Sequence, residues 1–235
     1  MNTLRYWLKG IRLYIAMASL LVTALTILWA RAAYGGSTLY PIRVEEVFAW
    51  LALGLVAVAI SIGPAYKLFP KLGGKQLLFD ARRLLGVSAA WFASWHVGIA
   101  YLNLFHAANP LSLPMQYRWS FLAGGFALII LLAMAVTSFD AAFKRMGIWW
   151  FRLHRFVYVA IGLALLHAYV SGVHSTGPIA LAITTIVSVG LLGAYTYLAF
   201  RRQARPTRWQ AITLLLMLLF IAAVLTYGFT HQGSK

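Results

Sequence analysis

The sequence predicts an all-α protein: a polytopic membrane helical bundle of about seven transmembrane helices with a cytoplasmic N-terminus. Three observations point there. Of the 235 residues, 62% are hydrophobic and only 10% are charged, which is more apolar surface than a soluble domain can hide. Several apolar stretches approach or exceed the length of about 20 residues that a helix needs to cross a bilayer. The lysines and arginines crowd into alternate connections between those stretches.

The first apolar segment, about 11–31, follows the basic opening MNTLRYWLKG and stops at YGGSTLYPIR. Its basic start and the small residues of ARAA also resemble a secretory signal; we expect the helix to be retained. The second, about 44–65, ends in KLFPKLGGKQ, and the third, about 84–106, ends in HAANPLSLPMQYR. The fourth and fifth, about 119–139 and 150–172, flank a basic turn containing Lys144 and Arg145. The sixth and seventh, about 178–200 and 209–229, are separated by RRQARPTR. Gly124 and Gly125, like Gly190 and Gly193, are small residues of the kind that lets helices pack closely.

Orientation follows from charge. Arg5, Lys9 and Arg12 precede the first segment, and Lys67, Lys71, Lys75, Arg82 and Arg83 lie in the second connection. Lys144, Arg145, Arg152 and Arg155 mark the fourth connection, and Arg201, Arg202, Arg205 and Arg208 the sixth. Only Arg31, Arg43, Arg118 and Lys235 fall on the other side, so the positive-inside rule puts the N-terminus in the cytoplasm and the C-terminus outside. The net charge of +16 is thereby explained by topology and contact with anionic lipid rather than by nucleic acid. The absence of cysteine excludes thiolate metal sites, iron–sulfur clusters, disulfides and covalent haem attachment.

Histidines inside apolar helices are costly and call for a partner. His96 lies thirteen residues after Arg83, and His167 twelve after Arg155. Both segments run from inside to outside, so at 1.5 Å per residue both imidazoles sit roughly 18–20 Å from the inner face. Matching depth on two helices suits axial ligation of a b-type haem, one nitrogen from each side of the iron. The alternative is a hydrogen bond to a neighbouring helix, or a proton path. His154 lies near the inner boundary, and an ideal helix turns it about 140° away from His167, a gap that tilt or a local bulge would narrow. A second haem at that level would need another partner or a single protein ligand; otherwise His154 is a boundary imidazole reaching the headgroups. His106 and His174, at the outer ends, are either interfacial or a metal or haem-edge pair, and His231 lies near the C-terminus.

RRLLGVSAAWFASWH and TSFDAAFKRMGIWWFRLHRFVYVAIGLALLH carry a resemblance to the ferric-reductase-like transmembrane family. The likeness is nearest to its bacterial branch of haem-binding subunits of a periplasmic methionine-sulfoxide reductase system. It rests on Arg-Arg-x-x-Gly before His96, the Thr-Ser ending of the fourth segment, the basic turn, and Leu-His-Arg with His167 thirteen residues beyond His154. The resemblance implies three parts: an N-terminal helix and outer loop over 1–43, a haem-binding core over 44–172, and two C-terminal helices over 173–235. It implies a six-helix core plus one helix, in a bacterial inner membrane. It further implies a cytochrome b that takes electrons from a cytoplasmic flavin, flavin reductase or quinol and passes them to an acceptor outside, a protein or ferric ion. His96 and His167 fall at the ligand positions and His154 at a third functional histidine. Larger relatives place two ligands on the third span, whereas here the residues thirteen before and after His96 are Arg83 and Asn109.

One haem b, or two, is therefore expected. A single haem in the outer half leaves much of a roughly 30 Å core uncrossed, so a second haem, FMN or a quinone should stand near His154. Arg82, Arg83, Arg152 and Arg155 are suited to propionates or a flavin phosphate, and equally to setting topology and contacting lipid. Trp91, Trp95, Trp149 and Trp150 are placed to flank a cofactor or anchor the interfaces. The competing class is a non-redox transporter, or an accessory subunit of a larger complex. Against a proton-coupled transporter, the acids Glu45, Glu46, Asp80 and Asp140 all lie near span ends.

Overall fold

The structure is a computed structural model that describes residues 2–68, 71, 73–104, 112 and 115–171. All regular structure among the described residues is helical: α1 (Asn2–Tyr34), α2 (Leu39–Leu68), α3 (Lys75–Ile99), α4 (Met115–Val136), α5 (Asp140–Met146), α6 (Ile148–His154) and α7 (Val157–Ser171). The chain divides into two units, one of Met1–Ile62 with Gly73–Val170, the other of Gly63–Leu72 with Ser171–Lys235. The expected sixth and seventh spans, His106, His174 and His231 lie outside the described residues.

Among the described residues, five stretches are long and apolar enough to cross a membrane: Leu13–Tyr34, Leu39–Gly63, Leu77–Asn103, Tyr117–Val136 and Ile148–Ala168. They coincide with the first five expected spans, and the protein is a multi-pass membrane protein. Leu13, Met17, Leu28, Phe126 and Ile129 are all more than half exposed. In water such a surface would be a liability; in a bilayer it is the face that lipid covers.

Two spans are not plain α-helices. Directly after His96 and its turn, α3 widens into a π-helical stretch over Ala100–Leu104, a distortion often found beside functional groups. The fifth span is interrupted at Arg155–Phe156. There Arg155 N–H bonds to Arg152 O (3.2 Å), Phe156 N–H to Leu153 O (3.0 Å) and Tyr158 N–H to Arg155 O (3.2 Å), all three residues back instead of four. Ahead of it, Gly147 turns the corner between α5 and α6 at φ +52°, which a side chain would strain.

The core is built from successive turns of α2. Val44, Phe48 and Ala52 recur at four-residue spacing and meet Ala30 of α1 and Phe92 of α3. Phe48 stacks on Phe92 with ring centroids 5.8 Å apart and also reaches Trp95 at 6.0 Å, one residue before His96. Polar pairs join α1 to α3: Ser19 Oγ donates to Ser88 Oγ at 2.8 Å, and Trp91 Nε1–H to the buried Thr23 hydroxyl at 3.0 Å. Replacing Thr23 with Val keeps the shape and removes the acceptor. The expected loss is about 0.6–1.7 kcal/mol, the range of interhelical hydrogen bonds in membranes, read as a lower midpoint of denaturant-induced unfolding in micelles.

Candidate functional site

The imidazoles of His96 and His167 stand beside each other, with ring centroids 5.8 Å apart and planes at 75°. Each ring is fixed from behind through Nδ1. On α3, His96 Nδ1 lies 2.9 Å from the Glu45 carboxylate and 3.3 Å from the Glu45 carbonyl, both on α2. On α7, His167 Nδ1 lies 2.9 Å from the carbonyl of Ser120 and 3.0 Å from its hydroxyl, on α4. That hydroxyl in turn donates to the His167 carbonyl at 3.1 Å, tying the two helices together at this level.

This donor set fits the two axial ligands of a haem. A neutral imidazole that binds metal through Nε2 carries its proton on Nδ1 and gives it to a carboxylate or carbonyl behind. Both rings have such an acceptor. Metal–imidazole bonds of about 2 Å on either side of one iron need ring centroids about 6 Å apart, close to the 5.8 Å observed. Among the described residues no three His, Cys, Asp or Glu side chains gather as a metal site, so the pair does not belong to a larger set of metal ligands there. Gly124, one turn along α4 from Ser120, completes the fit. A Cβ there would lie 2.8 Å from His167 Nδ1 and 3.0 Å from its Cγ, so only glycine lets the ring sit where it does.

His154 occupies a second, separate cluster. Its ring stacks on Trp150 at 3.7 Å, its Nδ1 bonds to the Trp150 carbonyl at 3.0 Å, and its Nε2 makes a long 3.4 Å contact with Ser138 Oγ. Trp150 is itself held by donating to the Thr137 carbonyl at 2.9 Å. The Arg83 guanidinium lies 5.5 Å from the Trp150 ring and pairs with Asp140 at 2.6 Å. The half-buried Arg82 is also within electrostatic range of His154. Arg152 is exposed and packs over Trp149 at 4.5 Å, and Arg155 is exposed at the interruption between α6 and α7. Of the four arginines, then, α3 brings its two to His154, while Arg152 turns to another tryptophan.

The interruption also changes the angle between His154 and His167. A tightened turn advances 120° per residue against 100° in an α-helix, so about three such residues add roughly 60° and narrow the ideal gap of about 140° to about 80°. The two histidines of this span are less opposed than a straight helix would make them.

Residues 48–165, half of the chain, match the family described as "Ferric reductase like transmembrane component". The chain belongs to this family. The ferric reductase-like match contains His96 and His154 and stops two residues short of His167. Three similar proteins each carry the name protein-methionine-sulfoxide reductase heme-binding subunit MsrQ. That of Pectobacterium carotovorum is 32% identical over 131 residues, 54% of this chain and 63% of that protein. That of Deinococcus radiodurans is 34% identical over 128 residues, 53% and 62% of the two. That of Yersinia enterocolitica is 29% identical over 207 residues, 86% of this chain and the whole of that protein. These similarities put the chain with the MsrQ branch of the ferric reductase-like family, although the first two matches span less than two thirds of the relatives' length. No solved structure matches the chain.

Glu45 and Ser120, which hold the two rings, were not singled out as site residues by the sequence. Glu45 is near a span end, as expected, yet it faces the site from within the span Leu39–Gly63. A carboxylate inside an apolar span is the signal that could have marked it; nothing in the sequence distinguishes Ser120.

Proposed function

We propose that this chain is the haem-binding, electron-carrying subunit of a transmembrane oxidoreductase, a b-type cytochrome in which His96 and His167 would hold the haem. The observation that carries this is the pair of facing imidazoles, each with Nδ1 committed to an acceptor behind it. A bound haem supplies a one-electron relay. The chain's own residues do the rest. Ser120 and Glu45 orient the ligands, Gly124 admits the His167 ring, and the apolar walls keep water away. His154, with Trp150, Arg82 and Arg83, forms the inner station, where a second haem, FMN or a quinone would be received. Arg152 and Arg155 face the surrounding headgroups and would meet phosphate there.

In this reading seven helices cross a bacterial cytoplasmic membrane, with the N-terminus inside, a core over 44–172 and two further helices over 173–235. Electrons come from a cytoplasmic flavin, flavin reductase or quinol and leave to an extracytoplasmic acceptor, a protein or ferric ion. The relatives' names as haem-binding subunits of a methionine-sulfoxide reductase favour a protein acceptor.

The test is transfer across a sealed membrane. Vesicles holding the haem-loaded chain and trapped ferricyanide, supplied outside with reduced FMN, should bleach the ferricyanide at least tenfold faster than chain-free vesicles. Haem that is reduced while the trapped ferricyanide keeps its colour would show a sensor or structural group instead of a carrier.

A further inference from the structure

We propose that Glu45 is the positioning residue of the His96 ligand: its carboxylate accepts the Nδ1 proton, sets Nε2 toward the iron, and biases the bound iron toward the ferric state. The inference rests on the haem reading above and adds to it an asymmetry between the two ligands.

The sequence places two carboxylates side by side, Glu45 and Glu46, in a span that offers them little water. The helix separates them by about 100°. Glu46 falls one turn from Arg43 and pairs with it at 2.8 Å. On another face, Val44 and Phe48 are buried in the core against α3. Glu45 has no guanidinium partner among the described residues; its side chain is only 19% exposed, and its carboxylate meets His96, 15% exposed, at 2.9 Å. An ionised group held so far from water is costly and is retained where it has a specific partner. Here that partner is a candidate ligand.

The direction of the bond follows from ligation. Binding through Nε2 leaves the proton of a neutral imidazole on Nδ1, so the group behind must accept. Glu45 offers two acceptors to the same nitrogen, its carboxylate at 2.9 Å and its carbonyl at 3.3 Å, so the ring is held in plane as well as in tautomer. His167 is held just as closely, but by the neutral carbonyl and hydroxyl of Ser120. One ligand therefore meets a carboxylate, while the partner described for the other, Ser120, is neutral. A carboxylate behind an imidazole makes it a more basic ligand. In a low-dielectric interior a nearby negative charge also stabilises the more positive of two iron states. Both effects favour ferric iron and lower the midpoint potential.

The experiment is a spectroelectrochemical titration of the purified, haem-loaded full chain beside Glu45→Gln, Glu45→Asp and Glu46→Gln. Glu45→Gln keeps an acceptor and removes the charge. It should raise the midpoint by at least a tenfold change in the ferric-to-ferrous ratio at fixed potential, about 59 mV, and shift the low-spin ferric resonance. Glu45→Asp should move the midpoint by less than half as much. Glu46→Gln, which removes the same charge one residue away from a site it does not touch, should move it by less than a third. A Glu45→Gln protein with a wild-type midpoint overturns the proposal, as does a Glu46→Gln shift of equal size. Should Glu45→Gln lose its haem, Glu45→Asp decides. Haem bound near the wild-type midpoint upholds the role of the charge; haem absent, or bound with the full upward shift, overturns it. A wild-type chain that takes up no haem would instead defeat the underlying reading.

Discussion

Alanine at His96 or at His167 is expected to remove the Soret absorbance that the wild-type chain shows after expression with ample haem, lowering haem per chain at least tenfold. The two rings form a clamp, and a clamp with one jaw holds a macrocycle only through apolar contact and one bond. The two variants should differ in a second respect. His167→Ala leaves behind Ser120, whose groups are neutral. His96→Ala leaves the Glu45 carboxylate without the ring nitrogen that now meets it at 2.9 Å, and breaking a buried ionic or hydrogen-bonded pair from one side is strongly destabilising. His96→Ala should therefore also accumulate in the membrane less well than His167→Ala. His154→Ala should keep the haem between His96 and His167, because the hydrogen bonds described for His154 run to Trp150 and Ser138. Haem quantitation of membranes from the three variants, normalised to protein, reads all of this at once. Retention of full haem content by either of the first two variants would contradict the assignment of ligands.

The second large effect is steric. Gly124→Ala places a methyl 2.8 Å from His167 Nδ1, 3.0 Å from Cγ and 3.1 Å from Cε1. Neighbours do not tolerate such approaches, and the ring cannot swing away without losing the carbonyl and hydroxyl of Ser120 that hold it at 2.9 and 3.0 Å. Overpacking of this kind costs about 1–3 kcal/mol, so haem affinity should fall by roughly tenfold to a hundredfold. Gly125→Ala is the control, since a Cβ there meets nothing within 4 Å. Haem titration of the apoprotein measures both. Equal affinities for the two variants would mean that the His167 ring does not need its present seat.

Much of this was legible in the sequence, and the reasons are physical. Bilayer thickness fixes span length, so the first five spans could be counted from apolar runs alone. Depth was legible because arginines mark the membrane boundary and a helix rises evenly, which is why His96 and His167 could be expected at one level; that their rings stand 5.8 Å apart depends on how the helices pack. Rotation was harder. Whether Glu45 or Glu46 faces α3 depends on how α2 is turned, and a few degrees per residue decide it. The break between α6 and α7 carries no warning: Leu-His-Arg-Phe-Val contains neither proline nor glycine, so an unbroken helix was the natural expectation. The inner arginines show the same limit. Their common depth suggested one rim, yet Arg83 is tied to Asp140 at 2.6 Å while Arg152 lies over Trp149. Composition and spacing define depth well; they do not define which way a side chain turns.

Whether a haem iron is held between these two particular nitrogens would be seen in a density map of the haem-loaded chain in lipid nanodiscs. Iron is expected at about 2 Å from Nε2 of both His96 and His167, with Nδ1 of the first still on Glu45 and Nδ1 of the second still on Ser120. Iron bound elsewhere, or the two rings closed on each other with the porphyrin outside them, would contradict this arrangement.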